Sequence, residues 1–170
     1  MKKILLFMLV LAGLSLQAET SFEYHVKAAF ILNFAKFTEW PPDKTPLIFG
    51  VLGDNPFEDA LEKLTANKKI GDRNIVVKYF STVSEFKNKG GSQVLFIGTS
   101  DPKEMQALLA LAKKFSVLSV TDPKISGENI GIISLMMENK NVRFSVNLEL
   151  AKKFNIKLSS ELLKLAKETS

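Results

Sequence analysis

The pattern of apolar and polar residues predicts a long amphipathic helix near the start of the chain. Between Phe22 and Trp40 the apolar residues recur at helical spacing. Pro41 and Pro42 end this pattern, because proline lacks the amide hydrogen that a helix interior uses and disfavours helical geometry in the preceding residue. On a helical projection the large side chains fall within about 120°, the width of a stripe that faces a core. They are Phe22, Val26, Phe30, Phe34, Phe37 and Trp40.

A second, thinner apolar strip follows the other side of this helix. It consists of Tyr24, Ala28, Ile31 and Ala35. We expect the phenylalanine stripe to pack into the core and the thinner strip to face another subunit or a partner protein. Asn33 lies inside the phenylalanine stripe, and a buried amide needs hydrogen-bond partners, so we expect it to bond to the backbone of a neighbouring strand or loop.

Two stretches of the chain share the order strand, glycine turn, helix cap, proline and helix. In the first, residues 47–52 read LIFGVL, which is typical of a buried strand. A turn of Gly53, Asp54 and Asn55 follows, and a helix is predicted at 56–65. Asn55 is the expected cap of that helix, because its side chain can accept from the first free amides.

The second stretch repeats the unit about 45 residues later. A strand is predicted at 93–97, a turn at Gly98, Thr99 and Ser100, and a helix at 101–114 that opens on an aspartate cap and a proline. Because two such units occur in one chain, the sequence predicts parallel βα construction.

The remaining apolar runs complete one α/β domain. Further strands are predicted at residues 74–80, 115–120, 130–137 and 142–147, with a loop at 121–128. The last strand places Val142, Phe144 and Val146 on one side and polar residues on the other, which fits the antiparallel partner of a hairpin. A helix from about Ser159 closes the chain. The predicted fold is a single domain with a mainly parallel sheet and flanking helices (Rossmann-like), ending in an antiparallel hairpin and a C-terminal helix.

The first eighteen residues have the layout of a secretory signal peptide. Lys2 and Lys3 precede an apolar run from Ile4 to Leu14, and the small residue Ala18 closes the segment. The run is shorter than the roughly 20 residues that cross a bilayer. We therefore expect cleavage after residue 18 and an exported domain at 19–170 that is not inserted in the membrane.

The composition of the chain excludes several classes of function. The net charge of +5 includes the two lysines of the leader, and the remaining basic residues are scattered, so nucleic acid is not an expected partner. There are no cysteines and one histidine, His25, so thiolate and multi-histidine metal sites are excluded. A Ser-His-Asp triad would need His25, yet no G-x-S-x-G turn presents a serine. We expect no catalytic residues, no metal and no cofactor.

The two glycine turns are the candidate ligand site. Parallel strands deliver their following loops to one edge of a sheet, where helix N-termini offer free amides to anions. A small polar ligand would then contact Gly53, Asp54, Asn55, Gly98, Thr99 and Ser100. Neither turn has the spacing of a P-loop or of a dinucleotide fingerprint, and any βα turn needs such caps, so a purely structural role stays open.

Three motifs, in this order and spacing, resemble the YfiR-like family of bacterial periplasmic proteins. The first is VKAAFILNFAKFTEWP at 26–41, the second is VLGDNPF at 51–57, and the third begins at Arg143 and continues through Leu163. Together they span nearly all of residues 19–170. The chain departs from the family in having no cysteine pair and in carrying Ile133-Ser134-Leu135 where Ile-Asn-Phe is usual.

The resemblance implies a non-catalytic periplasmic regulator. Such a protein, similar to the YfiR and HmsC repressors, holds a membrane-anchored diguanylate cyclase inactive by binding its periplasmic sensor region, which affects cyclic-di-GMP and biofilm. A small-polar-ligand module that uses the glycine turns is the alternative function. A homodimer is a further expected use of an exposed apolar surface.

Two places are candidates for the partner surface. One is the thinner strip of the first helix, with Tyr24, Ile31 and Ala35. The other is the segment after the hairpin, with Leu148, Leu150 and Phe154, although these side chains fit equally well as core that covers the sheet.

Overall fold

The structure is a computed structural model that describes residues 21–43 and 45–170. The predicted signal peptide at 1–18 lies outside the described residues. Within those residues, no helix is long and apolar enough to cross a membrane.

Helices and strands alternate along most of the chain. The helices are α1 (residues 21–36), α2 (Ala60–Thr65), α3 (Val83–Asn88), α4 (Pro102–Phe115), α5 (Pro123–Ser126), α6 (Leu148–Lys153) and α7 (Ser160–Leu165). The strands are β1 (Thr38–Glu39), β2 (Leu47–Gly53), β3 (Lys69–Ile70), β4 (Arg73–Phe80), β5 (Val94–Gly98), β6 (Leu118–Thr121), β7 (Ile133–Glu138), β8 (Asn141–Val146), β9 (Lys157–Leu158) and β10 (Glu168–Thr169).

The main sheet has eight strands in the order β10-β8-β7-β6-β5-β2-β4-β3. The five central strands β4, β2, β5, β6 and β7 run parallel to one another. The hairpin partner β8 is antiparallel to β7, and β3 is antiparallel to β4. A separate antiparallel ribbon joins β1 to β9. The predicted α/β class, parallel sheet and late hairpin are confirmed.

The two faces of the sheet carry different helices. On one face the ring of Phe96 in β5 packs edge-to-face on Phe57, just before α2, with centroids 4.7 Å apart. On the other face the ring of Phe80 in β4 packs on α3 at 5.2 Å. The strand partners of these two rings in β2 are the neighbours Val51 and Leu52, and neighbouring residues of a strand point to opposite faces. The sheet is therefore covered on both sides, as a mainly parallel sheet requires.

Helix α1 buries the strip that we expected to be its free side. Tyr24, Ala28, Ile31 and Ala35 are all buried, between 0% and 7% exposed. Phe34 is buried as predicted, with its ring 4.9 Å from the Phe144 ring of β8. The expectation that the thinner strip faces a partner is wrong.

The large residues of the predicted stripe are less covered. Phe22 is 72% exposed, and Phe30, Phe37 and Trp40 are only partly buried against the core. Asn33 is exposed, so the prediction that it is a buried, hydrogen-bonded amide is also wrong. The core-facing stripe of α1 is rotated toward its small residues, because close packing of a helix on a sheet favours side chains that let the backbones approach.

Several predicted boundaries move by a few residues. Helix α1 ends at residue 36, and Thr38 and Glu39 then pair with β9. Helix α2 begins at Ala60 and not at residue 56, because the chain first makes a turn that includes Glu58 in a left-handed conformation. Phe115 ends α4 and does not start β6, and the expected loop at 121–128 contains α5.

Other local predictions are confirmed. The side chain of Asp101 accepts hydrogen bonds from the amides of Lys103 and Glu104 and caps α4, with Pro102 in its first turn. The hydroxyl of Ser159 accepts from the amide of Leu162 and caps α7. These caps form because the residue types favour them locally, whatever the rest of the chain does.

Candidate functional site

The two glycine turns lie side by side at the carboxyl edge of the sheet. Strands β2 and β5 are adjacent and parallel, and their last residues, Gly53 and Gly98, pair with each other. Strand β6 reaches the same edge, since Ile97 pairs with Thr121. The fold therefore brings together Gly53, Asp54, Asn55, Gly98, Thr99 and Ser100, the six residues of the candidate ligand site.

The turns are packed on each other and leave no gap between them. The amide of Asp54 donates to the carbonyl of Gly98, with N and O 2.9 Å apart. A Cβ atom added to Gly98 would lie 2.1 Å from the carbonyl oxygen of Asp54. Gly53 has a φ of 83°, where side chains are strained, and a Cβ there would lie 2.7 Å from the Gly98 oxygen. Both glycines are required by this close approach.

Several amides around the turns are engaged within the protein. The Oδ1 atom of Asn55 accepts from the amide of Phe57 at 3.0 Å. Asp101 accepts from the first amides of α4, and the hydroxyl of Thr99 accepts from the amide of Asp101 at 3.2 Å. Because α2 starts only at Ala60, its N-terminus does not follow the first turn directly. The arrangement that the ligand hypothesis requires, with free helix amides at both turns, is not present.

A cluster of buried charges stands beside these turns. Lys27 of α1 and Asp122, which follows β6, are both fully buried, and the Nζ atom of Lys27 lies 2.5 Å from an Oδ atom of Asp122. Lys27 also pairs with Glu23 one turn earlier in α1. The Tyr24 hydroxyl donates to Asp122 at 3.0 Å, and Lys124 reaches Glu23 at 2.9 Å. We call these five residues the α1 charge cluster.

The α1 charge cluster is electrostatically balanced. Burial by itself would raise the pKa of Glu23, but hydrogen bonds and charge from Lys27 and Lys124 bring that pKa below its ordinary value. Burial, together with the Asp122 carboxylate, raises the pKa of Tyr24 well above its ordinary value. The ammonium group of Lys27 also lies 4.6 Å from the centre of the Tyr24 ring.

The cluster fixes α1 against the carboxyl edge of the sheet. The other oxygen of Asp122 accepts from the amide of Lys124 and caps α5, so one carboxylate holds two helices. The ring of Tyr24 packs on Phe57, which follows the first glycine turn. Each charged group has an opposite charge within the cluster. Such mutual pairing holds α1 and α5 in place against each other.

His25 is exposed beside the cluster. Its Nδ1 atom lies 2.8 Å from the carbonyl oxygen of Ser21, one turn earlier in the same helix. Within residues 21–43 and 45–170, no group of three or more His, Asp or Glu side chains is placed to hold a metal ion.

The structure does not support the expected partner surface. Tyr24, Ile31 and Ala35 are core residues, and Phe154 is 1% exposed. Leu148 and Leu150 are partly buried and pack against the core. Four of these six side chains are therefore core, and only Leu148 and Leu150 keep a partly exposed apolar surface.

Sequence reasoning missed Lys27 and Asp122. A signal for Lys27 was present, because Glu23 and Lys27 stand four residues apart and form a favourable helical pair. The position of Lys27 between Tyr24, Ala28 and Ile31 was the second signal, since a lysine inside an apolar strip needs a buried partner. Nothing local marks Asp122, which is 95 residues away in the chain.

One known protein family matches most of the chain. The family described as YfiR/HmsC-like matches residues 24–167, which includes Lys27, both glycine turns and Asp122. The chain belongs to the YfiR/HmsC-like family. This confirms the resemblance carried by the three sequence motifs. YfiR/HmsC-like membership is consistent with a periplasmic regulator of diguanylate cyclases.

Solved structures share the fold at low sequence identity. A conserved domain protein from Vibrio cholerae O1 biovar El Tor has a TM-score of 0.54 and 13% identity, covering 86% of this chain and 60% of its own. The ABC domain in complex with L-Trp from Streptococcus pneumonia has a TM-score of 0.50 and 9% identity, covering 73% of this chain and 55% of its own. The chain thus spans little more than half the length of these structures. No curated protein matches it.

Proposed function

We propose that this YfiR/HmsC-like protein is exported to the periplasm, where it binds the periplasmic sensor region of a membrane diguanylate cyclase and represses it. The observation that carries the proposal is the family match over residues 24–167. Loss of the repressor would raise cyclic-di-GMP and favour biofilm. The protein acts by binding and not by catalysis.

The chemistry of the carboxyl edge supports a binding role. In many α/β enzymes this edge presents free polar groups to a substrate. Here Asp54 and Gly98 bond to each other, Asp101 caps α4, and Lys27 is paired with Asp122. These polar groups bond to one another and hold α1 and the loops in place, so the protein presents a fixed outer surface.

The test of this function is the cyclic-di-GMP level in cells that lack the protein. We expect deletion of its gene to raise cyclic-di-GMP, and we expect the full chain to restore the original level. The matched control is the same chain without residues 1–18, which should fail to restore it because the protein stays inside the cell. An unchanged level in the deletion strain would contradict repression of a cyclase.

We propose binding of a small polar ligand as the second function. A cleft of about 440 Å³ opens beside Ser100, between the first half of α4 and the end of α5 with the loop that follows it at Gly127 and Glu128. A fold shared with a protein in complex with L-Trp adds support for a small-molecule role. Thermal shift against a library of polar metabolites separates the two functions: stabilisation by one compound, lost in Ser100→Ala, favours the ligand module.

A further inference from the structure

The outer edge of strand β4 is largely unpaired. On its inner side β4 pairs with β2 from Ile75 to Phe80. On its outer side it pairs with β3 only at Arg73 and Asn74. Within the described residues, no strand lies along the outer side of residues 75–80. Six residues of an extended strand, about 20 Å, therefore offer backbone donors and acceptors to an added strand.

Side chains on this edge are apolar and accessible. Val76 and Tyr79 are each 39% exposed, although β-branched and aromatic residues of this kind usually pack against a neighbouring strand. The hydroxyl of Tyr79 bonds to Glu62 of α2, which fixes the ring beside the edge. An open hollow between Val77, Lys78, Tyr79 and Lys89 follows the same strand. An incoming strand would find an apolar contact on each face of the sheet.

The stretch of chain from residue 67 to residue 90, which contains the edge, is strongly basic, whereas α2 places Glu62 beside Tyr79. Residues 67–90 contain six basic side chains and two acidic ones, which is most of the net charge of +5 of the chain. The basic ones are Lys68, Lys69, Arg73, Lys78, Lys87 and Lys89, and the acidic ones are Asp72 and Glu85. Lys89 is paired with Glu85. Lys78, in the middle of the open edge, makes no ion pair within residues 21–43 and 45–170.

The charge determines which strand can occupy the edge. A second copy placed antiparallel along residues 75–80 would bring two basic edges together, and like charges across a strand pair are destabilising. Lysine on an edge strand is also a common barrier to indiscriminate pairing. A strand with a carboxylate facing Lys78 would instead gain a favourable pair.

We infer that the outer edge of β4 is the docking site for an extended, acidic strand of the protein's partner, which adds to the sheet beside Val76, Lys78 and Tyr79. The inference rests on the proposed function, in which that partner is the periplasmic region of a membrane sensor. Backbone pairing supplies the affinity, and Lys78 selects the acidic sequence.

Site-specific crosslinking in the cell tests the position of the interface. The photoreactive residue p-benzoylphenylalanine replaces Val76, and the matched control carries it in place of Leu109, which is similarly exposed (36%) on α4. We expect irradiation to link position 76, but not position 109, to the membrane sensor. Mass spectrometry should place the link in an acidic extended segment of its periplasmic region.

Charge reversal in the purified complex tests the role of Lys78. We expect Lys78→Glu to weaken binding of the sensor's periplasmic region about tenfold. Lys103→Glu, an equal change of charge at an exposed position on α4, should leave the affinity unchanged. Hydrogen exchange adds a backbone readout, since the amides of residues 75–80 should become protected in the complex if a strand is added.

Each outcome decides the inference. A link from position 76 to a second copy, a link to the sensor only from position 109, or unchanged exchange at residues 75–80 in the complex would overturn it. The cyclic-di-GMP level is measured in the same strains. If repression persists while the edge makes no contact, the docking site is wrong and the repressor function stands; if deletion leaves cyclic-di-GMP unchanged, the repressor function itself fails.

Discussion

Replacement of Lys27 by methionine is expected to lower the free energy of unfolding by about 3–5 kcal/mol. Lys27 and Asp122 are fully buried and 2.5 Å apart. Methionine fills a similar volume but removes the positive charge, so the Asp122 carboxylate stays buried beside an apolar side chain. The cost of the substitution is mainly this uncompensated charge and not the loss of one attractive contact. Urea unfolding followed by circular dichroism measures it.

A double variant separates the effect of the buried charge on stability from the effect of side-chain packing. The double variant Lys27→Met with Asp122→Asn should recover much of the lost stability, because asparagine is neutral. Its oxygen can accept from the Lys124 amide, and its NH2 group can donate to the oxygen of the Tyr24 hydroxyl. The exposed pair of Lys63 and Asp59 is the control, and Lys63→Met should leave the unfolding midpoint almost unchanged. A Lys27→Met protein as stable as the wild type would show that the α1 charge cluster does not hold α1 in place.

Substitution of Gly98 by alanine is expected to lower the free energy of unfolding by about 3 kcal/mol or more. The added Cβ atom would lie 2.1 Å from the Asp54 oxygen and 3.0 Å from the Leu52 oxygen. Both obstacles are backbone, so the two turns must separate and the bond between Asp54 and Gly98 must break or lengthen. Thermal and urea unfolding of the two proteins gives the difference.

Gly71 provides the matched control for this substitution. It has a φ of 57°, but a Cβ atom added there would meet nothing within 4 Å. Gly71→Ala should therefore cost only the strain of the left-handed conformation, about 1 kcal/mol. If Gly98→Ala costs no more than Gly71→Ala, the two glycine turns are not packed as described.

Local features of the fold could be predicted from the sequence. The apolar run at 47–52 and the cap formed by Asp101 and Pro102 depend on residues that are close in the chain. Placement of the two glycine turns at one edge of the sheet followed from parallel strands, although the sequence did not show that β2 and β5 are neighbours. These predictions succeed because each depends on the chemistry of one short segment or on a general rule of sheet topology.

The orientation of α1 could not be predicted in the same way. A helical projection ranks side chains by size and hydrophobicity, and this favoured the stripe that includes Phe22 and Phe30. The face that is buried includes Ala28 and Ala35, which let the helix approach the sheet, and Lys27, whose buried partner comes from the loop after β6. Pairing across 95 residues of sequence is a tertiary property, and it decides which face of α1 turns inward.

The candidate ligand site could also be predicted only in part from the sequence. Sequence patterns placed six residues at the turns, but they could not show that the amide of Asp54 is taken by the carbonyl of Gly98. They also placed the start of α2 at residue 56, whereas Glu58 adopts a left-handed conformation and delays the helix to Ala60. Whether an amide is free depends on how the loops pack, and that packing is set by the whole sheet.

The most direct test of repression is a cyclase assay in right-side-out membrane vesicles. Membrane vesicles that expose the periplasmic side of the diguanylate cyclase outward, with GTP enclosed, receive purified protein at increasing concentration. We expect that synthesis of cyclic-di-GMP falls to a constant low rate as the protein is added, and that heat-unfolded protein has no effect. A rate of synthesis that does not change at any concentration of folded protein would contradict it.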